Sequence, residues 1–280
     1  MIPKYLWGKR IAVWDLETDF IPTSIIYMNG VSIITIDDSG DVSIIPSRVF
    51  TYKWTTYSTG SLYESIQLVN TCDYHCGHNI VSFDMDQIRR HMNVFITAIP
   101  LDTLILSKLM FSSDELYAID RQLGLDAPSK PYSLDSFGKR LGDHKIEFKE
   151  FDEMTHEMAI YCDQDVNLTG RLLLHLLEQP NFPNWDVIEL EHKVAGIIQE
   201  QTNYGFYFDV DKARALNTKL LTEKHQIASE LSTMFSPKFL KEGQEKKYKG
   251  ITKSRKFLPD EHYQPLLGTK LAKYHNHLGW

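Results

Sequence analysis

"IAVWDLETDF", residues 11–20, runs four apolar residues (Ile11, Ala12, Val13, Trp14) directly into Asp15-Leu16-Glu17. An unbroken apolar run of this length is the pattern of a strand covered on both faces. Side chains alternate along a strand, so Asp15 and Glu17 project from one face and Leu16 from the other. Two carboxylates on one face repel and resist joint ionisation unless a positive group lies between them. The decision between a solvated strand end and a charged site rests on what the remaining 270 or so residues bring to it.

The totals bound the answer. A chain of 280 residues with 42% hydrophobic and 12% aromatic residues supports one large domain, or one medium domain with an appendage. No apolar run reaches the ~20 residues of a membrane span, and the opening "MIPKYLWGKR" has no signal-peptide pattern. Three cysteines, Cys72, Cys76 and Cys162, give no disulfide framework, so a cytoplasmic location is expected, with no membrane partner. The net charge of −7 conceals an asymmetry: residues 238–273 hold ten Lys or Arg against four acids, a net of +6, which leaves −13 on the rest.

Periodicity and turn residues predict a strand over 9–15. Two or three further strands are expected within 24–46, with turns at Asn29-Gly30 and at 37–40, in an antiparallel meander with the first. A helix is expected over 61–70, a strand over 73–77, a helix over 82–92, a strand over 94–100, and a helix over 103–111 capped by Asp102. Residues 112–131 carry no clear pattern. A long helix is expected from Thr155 to about residue 178, and two more over 185–203 and 210–234, the former with Val187, Leu190, Val194, Ile197 and Ile198 as its apolar stripe. Gly205 suits the turn between those two and Asp209 the second cap. The expected class is α/β: a mixed sheet flanked by helices, with a C-terminal helical extension.

Two further acidic stretches bear on Asp15 and Glu17. "GHNIVSFDMDQI" (77–88) places Asp84 near a helix start, and "YCDQDV" (161–166) places Tyr161 and Asp165 four apart on one helix face that Leu168 and Leu172 continue inward. An aspartate on a buried helix face is costly unless paired or bound to a metal. Singly, Asp84 reads as an acid favoured by the helix dipole and Tyr161 as a core tyrosine. Together, D-x-E, HN-x3-FD and Y-x3-D in this order resemble the three motifs of the DEDDy class of 3′–5′ exonucleases. The flanks "PLDTLILSKLMF" (100–111), "YSLDSFGKRLG" (132–142), "MAIYCDQDVNLTGRLL" (158–173) and "IELEHKVAGIIQEQTNYGFYFD" (188–209) are similar to the proofreading domain, and the segment entering the thumb, of phage family-A DNA polymerases.

The resemblance implies a ribonuclease H-like 3′–5′ exonuclease domain over 1–183 and a thumb-like helical extension with a basic tail over 184–280. It implies hydrolysis of single-stranded DNA 3′ ends with two divalent cations, Mg²⁺ or Mn²⁺, about 3.5–4 Å apart. Such hard cations take oxygen ligands, so carboxylates suit them where Cys or His would not. By the same resemblance Asp15, Glu17 and Asp165 hold one ion and Asp15 with Asp84 the other, Tyr161 orients the attacking water, and Thr18, Asn79 and Phe83 meet the 3′-terminal nucleotide. Core packing is the equal alternative for Phe83. Cys72, His75, Cys76 and His78 lie along one predicted strand without the second paired cluster that a zinc site needs. Asp163 faces away from Tyr161 and Asp165, and Asp19 and Asp86 read as surface acids.

The chain ends at "LAKYHNHLGW", similar to a boundary within the thumb region, and no stretch matches polymerase palm or fingers. The expectation is therefore a chain that degrades DNA, with a separate DNA polymerase subunit as partner and the basic tail on phosphates. The competing readings are a ribonuclease D-like RNA exonuclease and a non-catalytic scaffold subunit of a polymerase.

Overall fold

Alternation along Lys9–Thr18 (β1) sorts the molecule into two layers. Ile11 and Val13 face one side and are buried with Ile34, Val166, Leu172 and Leu173. Ala12, Trp14 and Leu16 face the other, buried with Ile33, Ile66, Val69 and Ile88. The computed structural model describes residues 2–19, 23–143, 145–146 and 148–234. The basic segment 238–273 and the closing LAKYHNHLGW lie outside the described residues.

β1 is the middle of a mixed sheet. Ile26–Ile36 (β2) and Val42–Thr51 (β3) continue from it as an antiparallel meander, and the two-residue Gly60–Ser61 (β4) adds in parallel to β3. On the other side Tyr74–Gly77 (β5) and Ile99–Asp102 (β6) join in parallel, giving the order β4-β3-β2-β1-β5-β6. Leu62–Asn70 (α1) and Asp84–Met92 (α2) cover one face, while Thr103–Met110 (α3), Ser113–Gln122 (α4), Leu134–Arg140 (α5) and His156–Glu178 (α6) cover the other. Six strands between two helical layers form an α/β architecture consistent with a ribonuclease H-like fold. The chain divides into two compact units, Met1–Gly205 and Phe206–Trp280. The first includes Trp185–Tyr204 (α7), and of the second the helix Val210–Met234 (α8) is described. No helix among the described residues is long and apolar enough to cross a membrane.

Local chemistry sets the helix starts. Ser61 and Glu64 form a capping box on α1, Asp102 caps α3, Thr155 caps α6 and Asn184 caps α7. The Asp37 carboxylate accepts from the backbone N–H groups of Ser39 and Asp41 and closes the β2–β3 turn.

Three sequence expectations are corrected. Asn29-Gly30 is not a turn but the middle of β2, opposite Leu16 and Asp15. Gly30 answers to a close approach: a Cβ there would lie 2.8 Å from Val166 Cγ2 and 2.9 Å from Cys162 Sγ on α6. The strand expected over 94–100 is the shorter β6, because Asn70 ties down the preceding segment, accepting from Thr97 N and donating to Phe95 O. The segment 112–131 contains α4, started by a Ser112–Glu115 capping box. A buried pair holds it to α5, Arg140 Nε and Nη2 donating to Asp120 at 2.8 and 2.9 Å.

The contact of α6 on Gly30 yields a stability prediction. Gly30→Ala forces a methyl against the stiff Val166 side chain and should lower unfolding stability by about 1–3 kcal/mol, as other overpacked cores do. Urea unfolding measures it, and a variant as stable as wild type contradicts the close approach.

Candidate functional site

The parallel neighbour β5 matches β1 only over Ile11–Val13, whereas β2 accompanies β1 as far as Thr18. Beyond Val13 the β5 side of β1 is thus open to side chains from elsewhere. Asp84, the first residue of α2, enters there and its Oδ1 accepts from Leu16 N at 3.2 Å. On the face of Ile11 and Val13, α6 lies close enough over Gly30 to bring Asp165 against Asp15 and Glu17. Carboxylate oxygens of Asp15, Glu17 and Asp165 lie within 4.8 Å of one another. Three of the four expected acids form one cluster, and Asp84 stands just outside it, close enough for the charge of Asp15 to raise its proton affinity.

Glu17, Asp84 and Asp165 are buried and Asp15 is half-buried. Burial, then repulsion from Asp165, pushes the Asp15 carboxyl up to about 7. Burial followed by the charges of Asp15 and Asp165 raises Glu17 well above the carboxylate range, and burial followed by Asp15 raises Asp84. Burial raises Asp165 as well, against the pull of an ion pair with Lys145, whose Nζ is 2.5 Å from Asp165 Oδ2. Two oxygens of the cluster, Glu17 Oε1 and Asp165 Oδ1, are buried without a hydrogen-bond partner. Buried carboxylate oxygens facing one another with no donors are what a hard divalent cation satisfies, and the all-oxygen donor set fits Mg²⁺ or Mn²⁺.

The other expected residues surround this cluster. Tyr161, one turn before Asp165 on α6, shares a hydrogen bond with that carboxylate and is pushed up to about 12, by burial first and Asp165 second. Its ring stacks on Phe148, centroids 5.4 Å apart. Thr18 is buried at the end of β1. Asn79 and Phe83 lie in the link between β5 and α2, both half-buried, with Asn79 at φ 69°, a conformation asparagine tolerates. Asp86, expected on the surface, is buried: Arg89, Arg90 and the Asn203 amide of α7 surround it. Asp163 accepts from Asn167, away from the cluster. His75 accepts the Trp14 indole N–H at 3.0 Å, and the three cysteines are buried free thiols.

Two contributors escape the sequence reading. Asp102, foreseen only as a cap, also accepts from the backbone N–H groups of Asn79 and Val81, fixing the link that delivers Asp84. Its own N–H donates to His192 Nε2 of α7 at 2.7 Å. Lys145 lies in the stretch after α5, where no periodic pattern marks it; its one signal is a base within reach of an acid-rich site.

A raised carboxyl pKa means that the folded protein retains a proton which the unfolded chain has lost. For Asp15 that window runs from the ordinary 3.8 to about 7. Its contribution to stability is complete below the window and disappears as pH rises through it. At pH 8 without metal, Asp15→Asn should therefore melt higher than wild type, by several degrees for about 1–2 kcal/mol. The gap should narrow markedly at pH 5, which lies within the window, and close only below it. Saturating Mn²⁺ should raise wild-type melting at pH 8 much more than that of the variant. Scanning calorimetry at the two pH values measures this, and a variant that melts lower at pH 8 contradicts the repulsion.

No protein-family model matches the chain. It is similar to the DNA-directed DNA polymerases of Escherichia phage T7 and Enterobacteria phage T3, at 26% identity in each case, over 48% of this chain and 25% of either relative. The chain thus spans about a quarter of the length of the curated relatives it matches. These similarities support a relationship to DNA polymerases.

Proposed function

We propose that the protein is a 3′–5′ exonuclease that removes nucleoside 5′-monophosphates from single-stranded DNA ends, the proofreading partner of a phage-type DNA polymerase. The observation that carries this reading is the convergence of Asp15, Glu17 and Asp165 with two buried carboxylate oxygens left without donors. The similarity to phage polymerases supplies the substrate class. In this reading residues 1–183 carry the nuclease and residues 184–280 form a helical, thumb-like extension. The separate polymerase subunit and the host cytoplasm as location belong to the same proposal.

Asp15, Glu17 and Asp165 would hold one divalent cation, and Asp15 with Asp84 the second. When bound, such a pair stabilises charge on the attacking and leaving oxygens of an in-line phosphodiester displacement. The protein supplies the orientation. Tyr161 keeps its proton throughout the neutral range, so its hydroxyl would orient the attacking water and would not serve as the base. The Asp102 carboxylate fixes the backbone of Asn79 and Val81, and in this reading Asn79 and Phe83 would meet the terminal nucleotide alongside Thr18. Packing of α6 on β1 and β2 keeps Asp165 and Tyr161 in register with Asp15 and Glu17.

A 3′-ended single strand in Mg²⁺ or Mn²⁺ should be shortened one nucleotide at a time. Asp15→Ala or Asp84→Ala should abolish this while circular dichroism shows an intact fold. Tyr161→Phe should slow hydrolysis about 10²- to 10⁴-fold, the range for a positioned proton-handling group, with calorimetric metal affinity retained. Wild-type rates in Asp15→Ala, or preference for an RNA strand over the matched DNA strand, contradict the reading.

A further inference from the structure

We propose that Lys145 is the built-in counter-cation of the carboxylate cluster, holding Asp165 in the metal-free protein and yielding it when a divalent cation binds, so that Lys145 sets the metal affinity of the site. The inference deepens the reading of the cluster as a metal centre and rests on it.

The backbone around Lys145 is fastened to α6 on both sides. Asp143 pairs with Arg171, and Ile146 N donates to Gln164 Oε1 at 2.6 Å. Between these anchors the Lys145 side chain reaches inward, with Nζ 2.5 Å from Asp165 Oδ2 and 4.6 Å from the centre of the Tyr161 ring. Its positive charge acts on Asp15 and Glu17 as well as on Asp165. The remaining Asp165 oxygen, Oδ1, is buried and has no donor. One oxygen of this carboxylate is thus claimed by the ammonium group, and the other is left without a donor.

A divalent cation at the cluster and an ammonium group on the same carboxylate repel each other at contact range. The lysine is the mobile member: its four-carbon stem is flexible and its side chain retains 20% exposure, whereas Asp143 and Ile146 on either side of it are tied to α6. Arrival of the cation therefore swings the ammonium group off Asp165 while the ties of Asp143 and Ile146 to α6 remain. The ion pair relieves the repulsion of the empty site, and it lowers affinity for the ion that fills it.

Calorimetric titration of the full chain with Mn²⁺ tests this. Lys145→Met should bind Mn²⁺ about 10- to 100-fold more tightly, the scale on which neighbours of metal ligands alter affinity. Its metal-free form should melt lower than wild type, and Lys145→Arg should restore both values toward wild type. A second measurement needs no variant: acylation of wild-type Lys145 by an amine-reactive ester, read by peptide mass spectrometry, should rise several-fold in saturating Mn²⁺ relative to the other lysines. Equal or weaker Mn²⁺ binding by Lys145→Met, or labelling of Lys145 that stays level or falls, overturns the proposal and leaves the metal centre standing. Absence of Mn²⁺ binding in both wild type and variant removes the metal centre itself, and the proposal with it.

Discussion

The close approach of α6 to the sheet over Gly30 is the constraint on which the rest depends. A β2 residue with any side chain would push Cys162 and Val166 of α6 away from the sheet and lift Asp165 off Asp15 and Glu17. Helix and sheet are joined there by a continuous apolar layer, Ile11, Val13 and Ile34 against Val166, Leu172 and Leu173. Burial of that layer, at roughly 25 cal/mol per Å² of apolar area, balances the electrostatic cost of gathering acids at its edge. Packing creates the charge problem and also makes it affordable.

The charge problem is specific in form. Glu17, Asp84 and Asp165 are buried, Asp15 adjoins them, and the ordinary remedies for buried acids are sparse: the backbone N–H groups of Leu16 and of Asp84 itself on Asp84, and the Lys145 ammonium with the Tyr161 hydroxyl on one side of Asp165. Elsewhere in the same molecule buried acids are fully provided for. Asp120 takes a two-pronged Arg140, and Asp102 accepts three backbone N–H groups. The contrast separates acids that organise structure from acids that could hold a cation.

Much of this was legible in the sequence. The four apolar residues before Asp15 identified β1, alternation placed Asp15 and Glu17 on one face, and four-residue spacing put Tyr161 and Asp165 together on α6. What escaped depends on partners distant in sequence. Asn29-Gly30 resembles a turn because the same pair suits turns, and only the packing of Cys162 and Val166 shows why β2 needs glycine. Asp86 looks like a surface acid until Asn203, 117 residues later, closes over it. Ser112 and Glu115 form a capping box that spacing alone could have disclosed, whereas Lys145 has no periodic signature at all.

The measurement that bears most directly on the central claim is the location of Mn²⁺ by anomalous diffraction in crystals soaked with the ion and a short single-stranded DNA. The account predicts two sites, one touching Asp15, Glu17 and Asp165 and the other touching Asp15 and Asp84, with the 3′ end beside them. Manganese bound elsewhere, or a cluster that stays empty at saturating ion, would contradict it.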